Sequence, residues 1–309
     1  MSRPPPFGSR STADHVLAGI DLTGKRIIVT GCNSGIGFET MNALAANGAT
    51  VLGLARSLAA ADDACRRAGP TCVPVACDLS DLDSIAAAAS AIKTQHGLLD
   101  ALVAGAGIAA LPTPQLRHGV ELQFMVNHLG HFALIDGLQD ILRDGVGRVV
   151  IVASRASMAR APTAGIDFGN LDARRGYRPL AFYGQSQLAA ALHAAELSRR
   201  LAPRGIAVNT AHPGATRNTG IHRHRQPSLI RLLATPFMRS VQRGAATQTM
   251  LAASPLAAGV SGEYWADCRI AAGDPRASDT QLALRLWRES ERLIAAHARD
   301  RSKPLPAAA

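Results

Sequence analysis

Apolar and polar positions repeat along the chain in an alternating order of strand and helix. Short β-branched or fully apolar runs are each followed by a longer stretch with apolar residues at helical spacing. Strands that alternate with helices of about ten or more residues favour right-handed crossovers and a parallel sheet covered on both faces, so the pattern predicts a doubly wound α/β fold. The predicted strands are 26–30, 50–55, 72–76, 98–104, 149–153 and 206–211, and the predicted helices are 36–47, 59–68, 82–95, 120–142 and 181–201.

The rest of the chain forms two tails, one insertion and the last elements of the same domain. A short helix ends at Leu17, helices are predicted at 244–253 and 279–297, and a last strand at 262–266. The assigned organisation is a tail and short helix at 1–20, one domain at 21–298 with a lid at about 215–241, and a C-terminal tail at 299–309.

The predicted lid, residues 215–241, follows the sixth strand. Pro227 and Pro236 interrupt its apolar pieces, and an insertion after the carboxyl end of a strand lies where open α/β sheets bind ligands. Apolar pairs such as Leu229-Ile230 favour a hydrophobic substrate. Simple packing of the lid onto the domain explains the same residues equally well.

Composition narrows the class of protein. Of the 309 residues, 47% are hydrophobic and 18% are charged, which excludes a disordered chain. The five cysteines include no C-x-x-C pair, so they indicate neither a zinc site nor a disulfide framework. Because the sequence shows neither a signal-peptide core nor a membrane-spanning apolar run, we expect a cytoplasmic protein.

The formal net charge of +10 is concentrated in one part of the chain. No carboxylate occurs between Glu196 and Glu263, a segment with nine arginines. These arginines either attract an acidic ligand, an anionic lipid surface or nucleic acid, or are solvated on helix faces. We favour solvation, because charge patterning alone is a weak signal and no aromatic-interleaved basic motif indicates nucleic-acid binding. Contact with a membrane surface stays open.

A glycine-rich turn directly follows the first predicted strand and opens the first long helix. Glycines there let the chain reverse and let backbone amides approach a pyrophosphate at the helix N-terminus. Between a first strand and a first helix, such a turn is a strong signal for a dinucleotide. The candidate contacts are Gly31, Asn33, Ser34, Gly35, Ile36 and Gly37.

The spacing of this turn, G-x-x-x-G-x-G, resembles that of the short-chain dehydrogenase/reductase family. The run from Asn127 to Phe132 and the run His212-Pro213-Gly214 resemble its retinol-dehydrogenase-like and WW-domain-containing oxidoreductase branch. The resemblance runs from about Leu22 to His297 and implies a Rossmann fold with a nicotinamide cofactor. We expect no WW modules, because no N-terminal stretch holds paired tryptophans.

The end of the second strand bears on the choice of cofactor. It reads Leu54-Ala55-Arg56, with no carboxylate to bind a ribose diol, and an arginine there suits a 2′-phosphate. We therefore predict NADP in preference to NAD, although Arg56 as a merely solvated strand-end residue is the alternative. The resemblance also assigns Asp78 and Leu79 to the adenine ring, while Asp78 can equally serve a local turn.

The resemblance assigns two further segments of the chain to cofactor binding. The family carries Asn-Asn-Ala-Gly after the fourth strand, where this chain reads Ala104-Gly105-Ala106-Gly107. The hydrogen bonds of the two missing asparagines are expected to pass to water or to be lost, while close approach of the backbone to the cofactor is kept. The implied contacts in these segments are Ala106, Gly107, Pro213, Gly214 and Thr216.

The resemblance implies a catalytic group of Asn127, Ser154, Tyr183 and the residue four after the tyrosine. Ser154 would hydrogen-bond the substrate oxygen and Tyr183 would exchange its proton, while Asn127 would kink its helix or hold a relay water. A strand-end hydroxyl and a half-buried helix aromatic are the structural alternatives for Ser154 and Tyr183. His128 and His131 are expected to be packed side chains, and no metal site is predicted.

The fourth position holds Gln187, where the family has lysine. On a helix this residue shares a face with Tyr183, so a lysine there would favour the tyrosinate. Lowering a tyrosine pKa from about 10 to near 7 needs about three units, and glutamine brings no charge. Arg155 is the candidate for a substitute charge. The missing positive charge affects carbonyl reduction less than alcohol oxidation, because the Tyr183 phenol is protonated at the start of the reduction.

The sequence thus favours an enzyme, an NADP(H)-dependent oxidoreductase that interconverts a carbonyl and an alcohol on a hydrophobic small molecule, mainly as a reductase. The first alternative is a catalytically impaired NADP(H)-binding sensor or interaction protein. The second is a surface-binding protein that uses the arginine-rich segment. No nucleic-acid partner is expected, and the sequence leaves homo-oligomer formation open.

Overall fold

Most strands of the described chain hydrogen-bond into one central sheet. The structure is a computed structural model that describes residues 7–216 and 238–301. The strands are β1 (Arg26–Thr30), β2 (Thr50–Ala55), β3 (Cys72–Ala76), β4 (Ala101–Ala104), β5 (Leu116–Arg117), β6 (Val120–Glu121), β7 (Arg148–Val152), β8 (Ala207–His212), β9 (Tyr264–Ala266) and β10 (Arg269–Ile270). Their order across the sheet is β10-β9-β8-β7-β4-β1-β2-β3, parallel except for β10, and β5 pairs with β6 in a separate hairpin. The predicted doubly wound α/β fold is confirmed.

Helices cover both faces of this sheet. They are α1 (Ala13–Leu17), α2 (Gly35–Ala46), α3 (Leu58–Ala68), α4 (Leu82–His96), α5 (Leu122–Phe124), α6 (Gly130–Leu138), α7 (Arg155–Met158), α8 (Pro179–Leu201), α9 (Val241–Ala253) and α10 (Thr280–Arg301). None of the helices in the described ranges is long and apolar enough to cross a membrane.

The core is split into two layers by the sheet. Side chains alternate between the faces of a strand, so Ile28 packs with α4, α6 and α8 on one side, while Ile27 and Val29 pack with α2 and α9 on the other. All three β1 residues are fully buried, which explains why the strand reads as an unbroken apolar run.

The predicted helix over 120–142 is wrong in its first part. Val120 and Glu121 belong to the β5–β6 hairpin, and the Glu121 carboxylate caps α5 by accepting hydrogen bonds from the Gln123 and Phe124 N–H groups. A π-helical stretch at Met125–Leu129 then precedes α6. The apolar spacing continues through all of these pieces, so the sequence pattern alone does not reveal the breaks.

The C-terminal helix α10 packs against the outer face of α8. The Trp287 ring contacts the Phe132 ring, with centroids 4.7 Å apart, and the Arg200 guanidinium lies 4.0 Å from the centre of the Trp287 ring. Ser290 on α10 hydrogen-bonds the buried His128 ring at 2.8 Å. α10 therefore helps to hold the helix that carries Tyr183.

Most of the predicted lid at 215–241 lies outside the described residues, including its apolar pairs. At its described ends, Thr216 and Arg239 pair as an isolated parallel bridge, and the Arg239 N–H donates to the Ala215 carbonyl at 2.8 Å. The two ends of this segment therefore meet beside the carboxyl end of β8.

Candidate active site

The turn after β1 is packed so tightly that only glycine fits at two positions. Gly31 has a φ of +70°, and a Cβ there would lie 2.9 Å from Ala106 Cα. A Cβ on Gly37 would overlap the Gly31 carbonyl oxygen. Ser34, the N-cap of α2, makes no side-chain capping bond, so the first amides of α2 are left for an anion. This cradle fits the pyrophosphate of a dinucleotide.

Two arginines come from segments that adjoin this turn. Arg56 is exposed just beyond the end of β2. Arg67 on α3 donates to the Asn33 carbonyl at 3.2 Å, and its guanidinium lies 4.4 Å from the centre of the Phe38 ring. Arg67 was not predicted from the sequence, because only the fold brings the end of α3 to the turn.

The loop after β4 is held by hydrogen bonds to Thr30. The Thr30 hydroxyl oxygen accepts hydrogen bonds from the Gly105 and Ala106 N–H groups at 2.9 and 3.0 Å. The expectation that the bonds of the two missing asparagines pass to water or are lost stays a prediction. Thr30 also hydrogen-bonds His131 Nε2 at 2.9 Å. Burial lowers the pKa of His131 to about 4, so the ring is neutral near pH 7. Thr30 stands directly before Gly31 at the start of the glycine-rich turn, and this position in the motif could have indicated from the sequence that Thr30 holds the loop after β4.

Asn127 lies in the π-helical stretch, where a kink or a held water was predicted. Its side chain clamps Ile108 by accepting from the Ile108 N–H and donating to the Ile108 carbonyl, both at 2.9 Å. It also donates to Ser186 Oγ at 2.9 Å, and Ser186 in turn donates to the Tyr183 carbonyl. The amide is thus used to join the loop after β4 to α8.

Asp78 and Leu79 lie where the chain leaves β3. The Asp78 carboxylate accepts hydrogen bonds from the Ser80 N–H at 2.9 Å and the Ser80 hydroxyl at 2.7 Å, so it serves the local turn that was one of its predicted roles. Leu79 is buried, and its carbonyl packs so closely on Gly130 that a Cβ there would overlap it. This contact fixes α6 against the end of β3.

Ser154 lies at the N-cap of α7, at the carboxyl end of β7. Its N–H donates to Gln187 Oε1 at 2.8 Å, and its hydroxyl oxygen accepts from the Ser157 hydroxyl at 3.1 Å. Gln187 is buried on α8, four residues after the half-buried Tyr183. The residue at the lysine position therefore contacts Ser154 directly.

Helix α8 packs closely on the turn that begins with α7, next to Tyr183 in the sequence. A Cβ on Gly184 would lie 2.7 Å from the Ala161 N atom and would overlap the Ser157 carbonyl oxygen. Arg155 is exposed, and its N–H donates to the Tyr264 hydroxyl at 3.1 Å. Burial raises the pKa of Tyr264 to about 12, so this phenol stays protonated.

The segment after β8 faces the start of α2. Thr216 is buried, and its hydroxyl lies 3.3 Å from both the Pro213 and Gly214 carbonyl oxygens. A Cβ on Gly244 would contact both Thr216 Oγ1 and Ile36 Cδ1, which shows that these two side chains are neighbours. Gly214, with a φ of +74°, packs on the Arg239 side chain, which is ion-paired with Asp267.

The predicted site residues thus collect at one edge of the sheet. Most of them follow the carboxyl ends of strands, namely β1, β2, β3, β4, β7 and β8, while Asn127, Tyr183 and Gln187 lie on the helical segments beside this edge. The strand order reverses between β1 and β4. Ligands of open α/β sheets bind in the crevice at such a reversal.

His128 and His193 lie away from this crevice, in the packing between α6, α8 and α10. Their rings are 5.7 Å apart, and burial lowers the pKa of both, to about 3 for His193. Within the described ranges, no three His, Cys, Asp or Glu residues are arranged to hold a metal ion.

A glycine-rich turn between the first strand and the first helix of a doubly wound sheet is typical of dinucleotide-dependent oxidoreductases, and the comparisons with known proteins agree with that class. The family described as short chain dehydrogenase matches residues 25–166. The chain belongs to the short-chain dehydrogenase/reductase family, as an oxidoreductase of that family.

Its relatives include proteins of the branch that the sequence resembles. A human WW domain-containing oxidoreductase is 38% identical, over 93% of this chain and 72% of that protein. A probable oxidoreductase of Streptomyces lividans is 39% identical, over 87% of this chain and 97% of that protein. Human retinol dehydrogenase 14 is 34% identical, over 88% and 87% of the two chains.

Solved structures share the fold. An uncharacterized protein from Mycobacterium paratuberculosis has a TM-score of 0.73 and 29% identity, over 89% of this chain and 95% of that one. A blue fluorescent protein from a metagenomic library, in complex with NADPH, has a TM-score of 0.63 and 25% identity, over 79% and 96%. A 3-ketoacyl-(acyl-carrier-protein) reductase from Brucella melitensis, complexed with NADH, has a TM-score of 0.61 and 25% identity, over 79% and 96%.

Proposed function

We propose that this protein reduces a carbonyl group on a hydrophobic small molecule with NADPH. The hydrogen bond from the Ser154 N–H to Gln187 Oε1 carries the proposal. It supports the proposal because the residue at the lysine position is a neutral amide bonded to Ser154, in a candidate site that otherwise keeps the serine and the tyrosine of the family motif. Reduction is the direction that needs no positive charge to ionise the tyrosine, because the phenol donates its proton.

Each residue has a defined part in this reaction. When bound, the cofactor supplies hydride to the carbonyl carbon. Ser154 donates a hydrogen bond to the carbonyl oxygen, and Tyr183 gives its phenolic proton to the same oxygen as negative charge develops there. Asn127 keeps α8 and the loop after β4 in register through Ser186 and Ile108. Thr30 holds the loop after β4, against which the cofactor would lie when bound.

The apolar pieces of the lid and the hydrophobic substrate that they favour remain a prediction, since those residues lie outside the described ranges. A cytoplasmic location is proposed on the five cysteines, all of which are free. Free thiols in these numbers are typical of a reducing compartment.

The proposal is tested by titrating the purified protein with NADPH and NADH and then screening a broad panel of carbonyl compounds for loss of nicotinamide absorbance. We expect NADPH to bind more tightly and at least one apolar aldehyde or ketone to be reduced. Tight NADPH binding with no oxidation across the panel would instead favour the sensor function, which the loss of the lysine also allows.

Gln187→Lys should increase the rate of alcohol oxidation by about tenfold, because a cation on the Tyr183 face stabilises the tyrosinate that oxidation requires. The reductive rate should change less. The measurement is kcat for both directions with one alcohol and carbonyl pair. Gln187→Met, which has a similar length and no charge, is the control, and an equal gain in that variant would contradict the charge explanation.

Arg56→Ala should weaken NADPH binding by about tenfold or more and leave NADH binding nearly unchanged, because a hydrogen bond to a charged phosphate is lost. The exposed position of Arg56 beyond β2 and the NADPH complex of a similar structure support this assignment. The measurement is the Kd of each cofactor by fluorescence titration. Arg66→Ala, which removes an exposed arginine ion-paired within α3, is the matched control.

A further inference from the structure

Ser157 contacts Ser154 from the first turn of α7. Its hydroxyl donates to the Ser154 hydroxyl oxygen at 3.1 Å. The two serines are three residues apart, so they share one face of the turn. This contact is between side chains, and it is separate from the backbone bond in which the Ser157 N–H donates to the Ser154 carbonyl at 3.0 Å.

The other polar atoms of Ser154 are already engaged. Its N–H donates to Gln187 Oε1, and its carbonyl accepts from the Ser157 and Met158 N–H groups. An N-cap serine normally uses its hydroxyl oxygen to cap the helix, but Ser154 makes no such bond. Since the hydroxyl oxygen accepts from Ser157, the Ser154 hydroxyl hydrogen is left to point elsewhere.

We propose that Ser157 is a positioning residue that turns the Ser154 hydroxyl hydrogen towards the substrate oxygen. The inference rests on the proposed carbonyl reduction and extends it. A hydroxyl that accepts one hydrogen bond is polarised and becomes a better donor in the next. The site lacks the lysine charge, so the negative charge on the carbonyl oxygen is stabilised by neutral donors, and their orientation matters more.

The surrounding packing fixes Ser157. Its carbonyl lies against Gly184 of α8, where any Cβ would overlap it. On the other side, the Arg276 guanidinium donates to the Met158 and Pro162 carbonyls, both at 2.8 Å, while the Asp274 carboxylate holds it through two further bonds. The turn from Ser154 to Pro162 is therefore clamped between α8 and the segment before α10, which keeps the Ser157 hydroxyl within reach of Ser154.

The test compares Ser157→Ala with Ser157→Thr, using the carbonyl compound that the wild-type protein reduces best in the panel. We expect Ser157→Ala to lower kcat about tenfold with little change in the NADPH Kd, because only the donor to the substrate oxygen is disturbed. Ser157→Thr retains the hydroxyl and should recover most of that loss. The matched control is Ser198→Ala, which removes a similar serine pair, with Ser261 at 2.9 Å, away from the crevice.

A second readout separates donor strength from general damage. Across a series of carbonyl compounds with increasingly electron-withdrawing substituents, the rate in Ser157→Ala should depend more steeply on the substituent than in the wild type, because the weakened donor leaves more charge for the substrate to carry. The Tm of the variant reports folding in the same samples.

The measured rates distinguish the positioning role of Ser157 from the carbonyl reduction on which it rests. Unchanged kcat in Ser157→Ala, or a loss that Ser157→Thr does not recover, overturns the positioning role while carbonyl reduction stands. A fall in kcat that accompanies weaker NADPH binding and a lower Tm shows a purely structural role and also overturns it. If the wild-type protein reduces nothing in the panel, the proposed function fails, and this inference fails with it.

Discussion

Tyr183→Phe should lower the rate of carbonyl reduction by about a thousandfold while NADPH still binds, because the variant keeps the ring and loses the proton donor. The measurement is kcat beside the NADPH Kd. Ser154 would still donate its hydrogen bond, so a small residual rate is expected rather than none.

Tyr177→Phe supplies the matched control for this result. The Tyr177 hydroxyl donates to the Leu111 carbonyl at 2.9 Å and accepts from Gln123 at 3.0 Å, so its loss affects the loop after β4 and not the proton transfer. We expect most of the activity to remain, with some loss of stability. Activity in Tyr183→Phe equal to that in Tyr177→Phe would contradict the role of Tyr183.

Gly37→Ala should weaken NADPH binding by about a hundredfold or more, because a small displacement of binding groups costs that much in well-ordered sites. The added Cβ would overlap the Gly31 carbonyl oxygen and lie 3.2 Å from the Thr30 carbonyl oxygen. Because these two neighbours are backbone atoms, the backbone of the turn after β1 must move to make room, and the anion-binding cradle is then distorted. The measurement is the NADPH Kd, with Tm to show that the protein is still folded.

Gly8→Ala is the control for the glycine substitution. A Cβ at Gly8 meets only the flexible end of Arg269, at 3.5 Å, far along the chain from the turn. NADPH binding in Gly8→Ala should match the wild type. Wild-type affinity in Gly37→Ala would mean that the turn does not form the cofactor cradle.

The sequence predicts the buried strands and the turn well, for a local reason. β1, β2 and β3 have the predicted bounds because each is an apolar run ended by a change in backbone requirement, such as Gly31 after β1. The pattern fails where distant contacts decide the local structure. The stretch around Asn127 is π-helical and joined to Ile108 and Ser186, and no spacing of residues within the stretch contains that information.

The candidate site likewise contains residues that the local sequence predicts and residues that only the fold reveals. The glycines, Ser154 and Tyr183 stand at positions that the motif defines, and the fold collects the segments that carry them at one edge of the sheet. Ser157 and Arg67 act only through partners that the fold brings to them, so their own residue types carried no signal. α7 is missed for a different reason, because four residues are too few to show a helical period.

The docking of α10 on α8 has a consequence for the order in which the protein matures. α10 follows every other described element along the chain, so it leaves the ribosome last among them. Until then the faces of Phe132, His193 and Arg200 that meet Trp287 stay uncovered, on α6 and on α8, the helix that carries Tyr183. Domains tend to fold as units during synthesis, and exposed apolar surface favours aggregation. A chain that ends before Trp287 would therefore expose apolar surface on α6 and α8, and we expect it to aggregate more readily than the full chain.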